Sequence, residues 1–388
     1  MRRKSHIQVS YPSNYQDVIS AKSLGSGSNH MHARISKLVK RLMESDLDAL
    51  VTSHLPNVRY LTGFSGSAGI VYISRDFVTF LTDGRYDSQS RRQLKNAGNS
   101  DISVFVGNSS EQMNEISRLS AGRERVAIES RNAVWAFALE LQELIGPSVQ
   151  LIPSTDLIEQ IRRIKDAEEI EALTSAAHIA DEALTATLGL LSSQPTERSF
   201  AQLLEAEMAR LGSERPSFDT IVGAGPNSAL PHAQPTERTI AKGDVVVIDF
   251  GATYRGYHSD MTRTFVVGQP TLRQSEIHES VIHAQRKAIE SIVAGRRAEE
   301  VDAAARNYLA DLNLANKFIH SVGHGVGLEI HETPILGSGN RLTLMMGEVV
   351  TAEPGLYLEG EFGIRIEDMI HVGSEPGCIT QFGYDWIV

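Results

Sequence analysis

Four carboxylates and one imidazole in the C-terminal half of the chain have the types and spacing that hold hard cations. Asp249 closes the apolar run Val245 to Phe250, and Asp260 follows beyond Tyr254-Arg255-Gly256. A two-residue turn at Tyr254 and Arg255 predicts an antiparallel ladder with position 249 directly opposite position 260. Opposed residues share a face, with Cβ atoms about 5 Å apart. Two aspartates so placed repel one another unless a cation lies between them. The arrangement recurs where a turn near Glu359-Gly360-Glu361 folds Glu353 toward Glu367, since an even separation puts both side chains on one face. Either pair alone also fits a charged, solvent-facing rim. Both pairs together, each adjoining an apolar strand, favour a site. His324 joins them inside Gly323-His324-Gly325-Val326-Gly327, whose glycines admit close backbone approach, and His232, His320 and His331 lie in the same part of the chain. This oxygen-rich set suits Mn²⁺, Co²⁺, Fe²⁺ or Zn²⁺ and is poor for soft metals. Four negative ligands balance two dications.

The elements that must position these groups are legible in outline. From Ile35 to Met43 apolar residues recur at helical spacing, and short apolar runs at Ala49, Gly69 to Ile73 and Phe77 to Leu81 read as strands between glycine and aspartate turns. A strand at Val104 to Val106, a helix from Glu111, a strand at Val126 to Ile128 and a helix around Val134 to Leu144 complete an α/β lobe ending near Pro153. Leu157 to Leu191 reads as a connection followed by the first helix of a second lobe, with Arg162, Arg163, Lys165, Asp166, Glu168 and Glu169 on a solvated face. Beyond it come a strand and loop around Phe218 to His232, the strand Val245 to Phe250, and strands from Val349 to Val372.

At 388 residues the chain has room for two lobes, each with its own core. A composition of 41% hydrophobic and 22% charged residues, without a long apolar run, predicts a soluble protein with no membrane partner. The formal charge of -11 and the lack of a basic tract argue against nucleic acid. Cys378 is the single cysteine, which rules out an internal disulfide or a multi-thiolate site and suits the cytoplasm. It reads as a small, partly buried filler. Arg2, Arg3 and Lys4 lack the apolar segment of a secretory signal, and Gly25-Ser26-Gly27-Ser28 reads as a flexible joint. Residues 1–30 are therefore expected to be a leader or linker. The glycine-rich segments lack the full dinucleotide fingerprint.

Five ordered segments carry a resemblance to the pita-bread metallopeptidases, within them the Xaa-Pro aminopeptidase and Xaa-Pro dipeptidase (prolidase) branch. They are Ile248-Asp249-Phe250-Gly251, Ser259 to Thr264, His320 to Glu332, Thr351 to Tyr357 and Gly363 to Asp368. Asn57 to Phe64 and Thr82 to Tyr86 resemble the family's N-terminal domain. The resemblance implies a smaller creatinase/prolidase-like α/β domain over residues 31–155. It further implies a catalytic pita-bread domain over 156–388, an antiparallel sheet flanked by helices.

It also implies two divalent ions, Mn²⁺ by preference with Co²⁺ or Zn²⁺ as alternatives, held by Asp249, Asp260, His324, Glu353 and Glu367. Asp260 and Glu367 would bridge, and Glu353 would also move a proton. His232 and His331 would contact the substrate and its transition state, Arg365 would help orient the substrate, and His320 would be a further contact. Paired dications bring the pKa of a shared water near neutrality, so that hydroxide can attack the scissile carbonyl. The expected activity is release of the N-terminal residue from peptides with proline second. The aminopeptidase is preferred to the dipeptidase, and a catalytically inactive peptide-binding relative is the further alternative. A methionine aminopeptidase usually lacks the N-terminal lobe, and a creatinase-like member would show substituted ligands. A homodimer built partly through the N-terminal lobe is the assembly the resemblance suggests.

Overall fold

The computed structural model describes residues 27–388. Residues 1–26 of the expected leader, with Gly25-Ser26, lie outside the described residues, whereas Gly27 and Ser28 open helix α1 (Gly27–Glu44) and are no joint. There follow β1 (Ala49–Thr52), α2 (Leu55–Thr62), β2 (Ile70–Ser74), β3 (Val78–Thr82), α3 (Asp87–Asn96), β4 (Ser103–Val106), α4 (Ser109–Ser120), β5 (Arg125–Glu129), α5 (Trp135–Ile145) and β6 (Gln150–Ser154). The six strands form one mixed sheet in the order β4-β3-β2-β1-β5-β6. Central strand β1 is buried along its whole length because both faces are covered. Ala49 and Val51 pack with Met113, Ile116 and Leu141, while Leu50 packs with Leu38 and Leu42 of α1. Each of the larger of these buried side chains, from Val51 to Leu141, contributes about 1.5–3 kcal/mol. The Leu50 cluster continues into Tyr257, Val326, Leu328 and Met369, so this lobe and the C-terminal strands share a core.

Next come α6 (Glu159–Arg162) and α7 (Ala167–Thr187). Asp166 caps α7 by accepting from Glu169 N, while the Glu169 carboxylate accepts from Asp166 N. The solvated-face reading of these charges fails for most of them, since Arg162, Arg163, Lys165 and Glu169 are all buried. Each has a distant partner: Arg162 and Lys165 meet Glu332, Arg163 meets Glu348, and Glu169 meets Arg34. This stretch lies where the lobes join and is covered from both sides, which helical charge spacing does not reveal. Of the three acidic residues, Glu168 is exposed and Asp166 half-buried.

The rest of the chain forms α8 (Glu197–Arg210), β7 (Ile221–Ala224), β8 (Val245–Phe250), β9 (Thr253–Tyr254), β10 (Tyr257–His258), β11 (Met261–Val266), α9 (Leu272–Ser291), α10 (Ala298–Asp311), β12 (Gly323–Gly325), β13 (Glu332–Leu336), β14 (Val349–Ala352), β15 (Gly355–Leu358), β16 (Phe362–Arg365), β17 (Asp368–His371) and β18 (Gly377–Cys378). Two antiparallel sheets, β11-β8-β7 and β13-β12-β14-β17-β18, organise it. Helices α7 and α8 cover the first through Leu184, Phe200 and Leu204 against Val246, Ile248 and Phe265. Helices α9 and α10 cover the second through Val281, Ala284, Val301 and Ala305 against Val350 and Ile370. The architecture is the expected mixed α/β one, antiparallel sheets flanked by helices behind a smaller α/β lobe.

One expected register is wrong. The turn is Arg255-Gly256, with φ of 48° and 75°, and Tyr254 pairs with Tyr257. Two successive left-handed residues are what a tight hairpin turn demands, and glycine supplies the second without strain. Asp249 is therefore opposite Thr262, not Asp260. The slip is two residues, so Asp260 keeps its face.

Candidate metal centre

The five predicted ligand positions sit on strands or at strand ends of both sheets: Asp249 on β8, Asp260 just ahead of β11, His324 in β12, Glu353 just after β14 and Glu367 just before β17. Backbone bonds hold the glutamates, Glu367 N donating to Thr262 O (3.0 Å) and Glu353 N to Val322 O (2.8 Å). Ladders β14–β17 and β15–β16 run in one continuous register, which sets Glu353 and Glu367 across from each other, as the turn at Glu359-Gly360-Glu361 requires.

Asp260, His324 and Glu367 are buried, and one potential ligand atom from each lies within 4.8 Å of the others. His324 Nε2 is 3.4 Å from Asp260 Oδ2 and 3.4 Å from Glu353 Oε1. Its Nδ1 lies 3.0 Å from Gly325 O, a contact that keeps a proton there and leaves Nε2 to face the carboxylates. Asp249 Oδ2 accepts from Arg365 Nη2 at 2.5 Å. Arg365 Nε donates to Thr262 Oγ1 (3.1 Å), which in turn donates to Glu367 Oε2 (2.7 Å).

The charge is poorly compensated from within. Burial, then the charges of Asp260, Glu353 and Asp249, pushes the Glu367 carboxyl well above its ordinary range. Burial lifts Asp260 to about 7, with Asp249 and Glu353 adding to the rise against a bond from His324. Burial also raises Asp249, opposed by Arg365. For His324 burial acts downward, but Asp260 and Glu353 outweigh it and carry the imidazole up to about 9. Asp249 Oδ1 and Glu367 Oε1 are buried without a hydrogen-bond donor among the described residues. Buried carboxylate oxygens that lack donors and repel one another are the donor set a divalent cation satisfies. The residues present therefore fit the group the sequence implies.

The remaining site residues gather at the same place. His331 is exposed, its ring centroid 4.4 Å from that of His324 at 74°. Burial of its inner part and the His324 charge lower its pKa, so it is neutral at neutral pH. His232 is exposed on the loop whose Pro231 O accepts from Arg365 Nη1 (3.0 Å), and it lies close enough to His320 and His331 to act on both electrostatically. His320 Nε2 is 3.0 Å from Tyr357 Oη, which also accepts from Arg365 Nη1 (2.8 Å). Arg365 is buried and its donors are committed to Asp249, Thr262, Tyr357 and Pro231.

Sequence reading missed Thr262, Tyr357 and Thr351, whose Oγ1 accepts from His324 N (3.1 Å) and lies 3.4 Å from Glu353 Oε1. The available signal was strand parity, since Thr262 shares a face with Asp260, and Thr351 with Glu353. Thr262→Val removes the hydrogen bond that Thr262 Oγ1 donates to Glu367 Oε2 while preserving shape. It is expected to weaken Mn²⁺ binding about 10- to 100-fold, as losing an outer partner of a metal ligand does. Titration calorimetry checks this, and unchanged affinity would count against Glu367 as a ligand.

The sequence pattern of metallopeptidase family M24 matches residues 171–374, and that of the creatinase/prolidase N-terminal domain matches residues 34–164. The chain is 36% identical over 342 residues to the Xaa-Pro dipeptidase of Pyrococcus horikoshii, covering 88% of this chain and 94% of that protein. Among solved structures it resembles an Xaa-Pro dipeptidase from Bacillus anthracis at a TM-score of 0.87 and 34% identity, covering 92% of this chain and 100% of the other. An X-Pro aminopeptidase from Thermotoga maritima superposes at 0.83 with 32% identity, covering 90% and 99%.

Proposed function

Since the chain belongs to metallopeptidase family M24, with a creatinase/prolidase N-terminal domain and a pita-bread catalytic domain, we propose that it is a prolidase, hydrolysing Xaa-Pro dipeptides. The observation that carries the metal-dependent peptidase chemistry in this reading is the convergence of buried Asp260, His324 and Glu367, with the oxygens Asp249 Oδ1 and Glu367 Oε1 unpartnered among the described residues. The sequence alone leaned to the aminopeptidase. Relatives matched over nearly their whole length and named Xaa-Pro dipeptidase support the dipeptidase instead. The aminopeptidase remains the second reading, supported by the Thermotoga maritima neighbour.

Asp249, Asp260, His324, Glu353 and Glu367 would hold two divalent cations, Mn²⁺ first and Co²⁺ or Zn²⁺ as alternatives. When bound, these supply the positive charge that acidifies a water molecule and polarises the scissile carbonyl. Asp249, Asp260 and Glu367 set the number of negative charges that make the cavity selective for such ions. Glu353, half-buried and anchored through Thr351, takes the proton lost by the attacking water and returns it to the departing nitrogen. The prolyl nitrogen is tertiary and must gain that proton to leave. Neutral His331 donates to the carbonyl oxygen as negative charge grows there, and His232 contacts the substrate from the facing loop. Arg365 acts on substrate orientation through Asp249, which it holds.

The reading includes a cytoplasmic homodimer. Its support is an apolar strip at the start of α5, where Val134 just before the helix and Trp135 and Leu139 on it are 69%, 75% and 53% exposed, together with the single cysteine. Hydrolysis of Xaa-Pro and of Xaa-Pro-Xaa-Xaa by the Mn²⁺-reconstituted protein tests the activity. The expected result is a kcat/KM at least about tenfold higher for the dipeptide, a difference of about 1.4 kcal/mol. A preference for the longer peptide selects the aminopeptidase, and cleavage of neither defeats both readings.

A further inference from the structure

His331 is exposed, yet the next residue is fixed by buried charge. The Glu332 side chain is 7% exposed and accepts from Arg162, from Lys165 Nζ (3.1 Å) and from Glu329 N (3.2 Å). Arg162 also pairs with Glu329 (2.8 Å), and Glu329 meets His54 Nε2 at 2.9 Å. Asn57 Oδ1 accepts from Arg162 Nη1 (2.7 Å), so α2, the connecting stretch and the loop between β12 and β13 are wired together. A Cβ at Gly327 would stand 2.6 Å from Glu332 Oε1, so the carboxylate occupies space that glycine alone leaves free at that position. The loop's other end is tied by His258 N donating to Gly327 O (2.9 Å). Burial alone would raise Glu332, but Arg162 and Lys165 bring it down to about 2, so it stays ionised.

Buried ion clusters stabilise little compared with apolar packing of the same volume. What this one does supply is a fixed backbone immediately beside an imidazole that would otherwise swing on an irregular loop. We propose that Arg162 and Lys165, acting through Glu332, are positioning residues that hold His331 against the scissile carbonyl. The segment joining the lobes thereby belongs to the active-site apparatus. This rests on the assignment of His331 as the transition-state contact.

The test is a double-mutant cycle on the Mn²⁺-loaded protein: Glu332→Gln and Arg162→Met, each alone and combined with His331→Ala. Misplacing a catalytic group by about 1 Å costs on the order of 100-fold, so each single variant should lower kcat about 10- to 100-fold with KM within about threefold. In the His331→Ala background the same substitutions should change kcat less than about threefold, because partners in one pathway are not additive. Mn²⁺ affinity measured by calorimetry should stay within about twofold, since no cation ligand is touched. Equal losses in both backgrounds, or losses carried by KM or by Mn²⁺ affinity, overturn the proposal. His331→Ala with unchanged kcat overturns the assignment beneath it as well. If circular dichroism shows Arg162→Met unfolded, Lys165→Met takes its place in the cycle.

Discussion

Replacing Asp260 by alanine is expected to reduce turnover of prolyl peptides by at least roughly a thousandfold, a loss of about 4 kcal/mol of transition-state stabilisation. The physical reason lies in where Asp260 stands. It is buried, faces His324 at 3.4 Å and is pushed up to about 7 by burial and by Asp249 and Glu353. Without it the carboxylate set that would hold the cations is incomplete. The same crowding predicts that the shape-preserving Asp260→Asn variant is more stable than the parent when both are cation-free. Removing one buried like charge gains about 1 kcal/mol or more while activity disappears.

The sign with pH follows from the raised carboxyl and imidazole. Between about 4 and about 7 the folded, cation-free protein keeps on Asp260 a proton that the unfolded chain releases. Its stability therefore falls as pH rises through that window. His324, lifted from 6.5 to about 9, contributes fully below 6.5 and loses its contribution as pH rises through 9. Cations displace both protons, so Mn²⁺ affinity should climb with pH over the same range. Urea titrations of EDTA-treated and Mn²⁺-loaded protein across that range measure both effects. Near-normal turnover in Asp260→Ala, or a cation-free protein that gains stability toward pH 9, would sink the assignment.

The sequence carried the site further than it carried the surroundings. Asp249, Asp260, Glu353 and Glu367 could be singled out because carboxylates at strand ends share a face at even separations, and parity survives a register slip of two residues. That is why an incorrect turn at Tyr254-Arg255 still left Asp260 on the correct face. The burial of Arg162, Arg163 and Lys165 was illegible, because their partners Glu329, Glu332 and Glu348 lie more than 150 residues away in sequence and no local period links them. Arg365 was half-read. Its place beside Glu367 was visible in the chain, but the commitment of its guanidinium to Asp249 depends on two strands from different sheets meeting.

That commitment makes Arg365→Met the most destabilising substitution expected at the site. The Arg365 side chain is 3% exposed and Asp249's is 13% exposed, so the pair is shielded from solvent. Deleting one member of a buried pair strands the other charge and costs about 3–5 kcal/mol. Lysine should not rescue it, since a single ammonium cannot reach Asp249, Thr262, Tyr357 and Pro231 as the guanidinium does. A guanidinium that served the substrate directly would instead show a raised KM and unchanged stability. Urea unfolding separates the two, and adding Mn²⁺ sharpens the comparison. A cation beside Asp249 supplies positive charge that the variant lacks, so Mn²⁺ should stabilise Arg365→Met more than it stabilises the parent at equal free Mn²⁺ concentration. If Mn²⁺ adds the same increment to both proteins, Asp249 is not a cation ligand and the cage must be drawn without it.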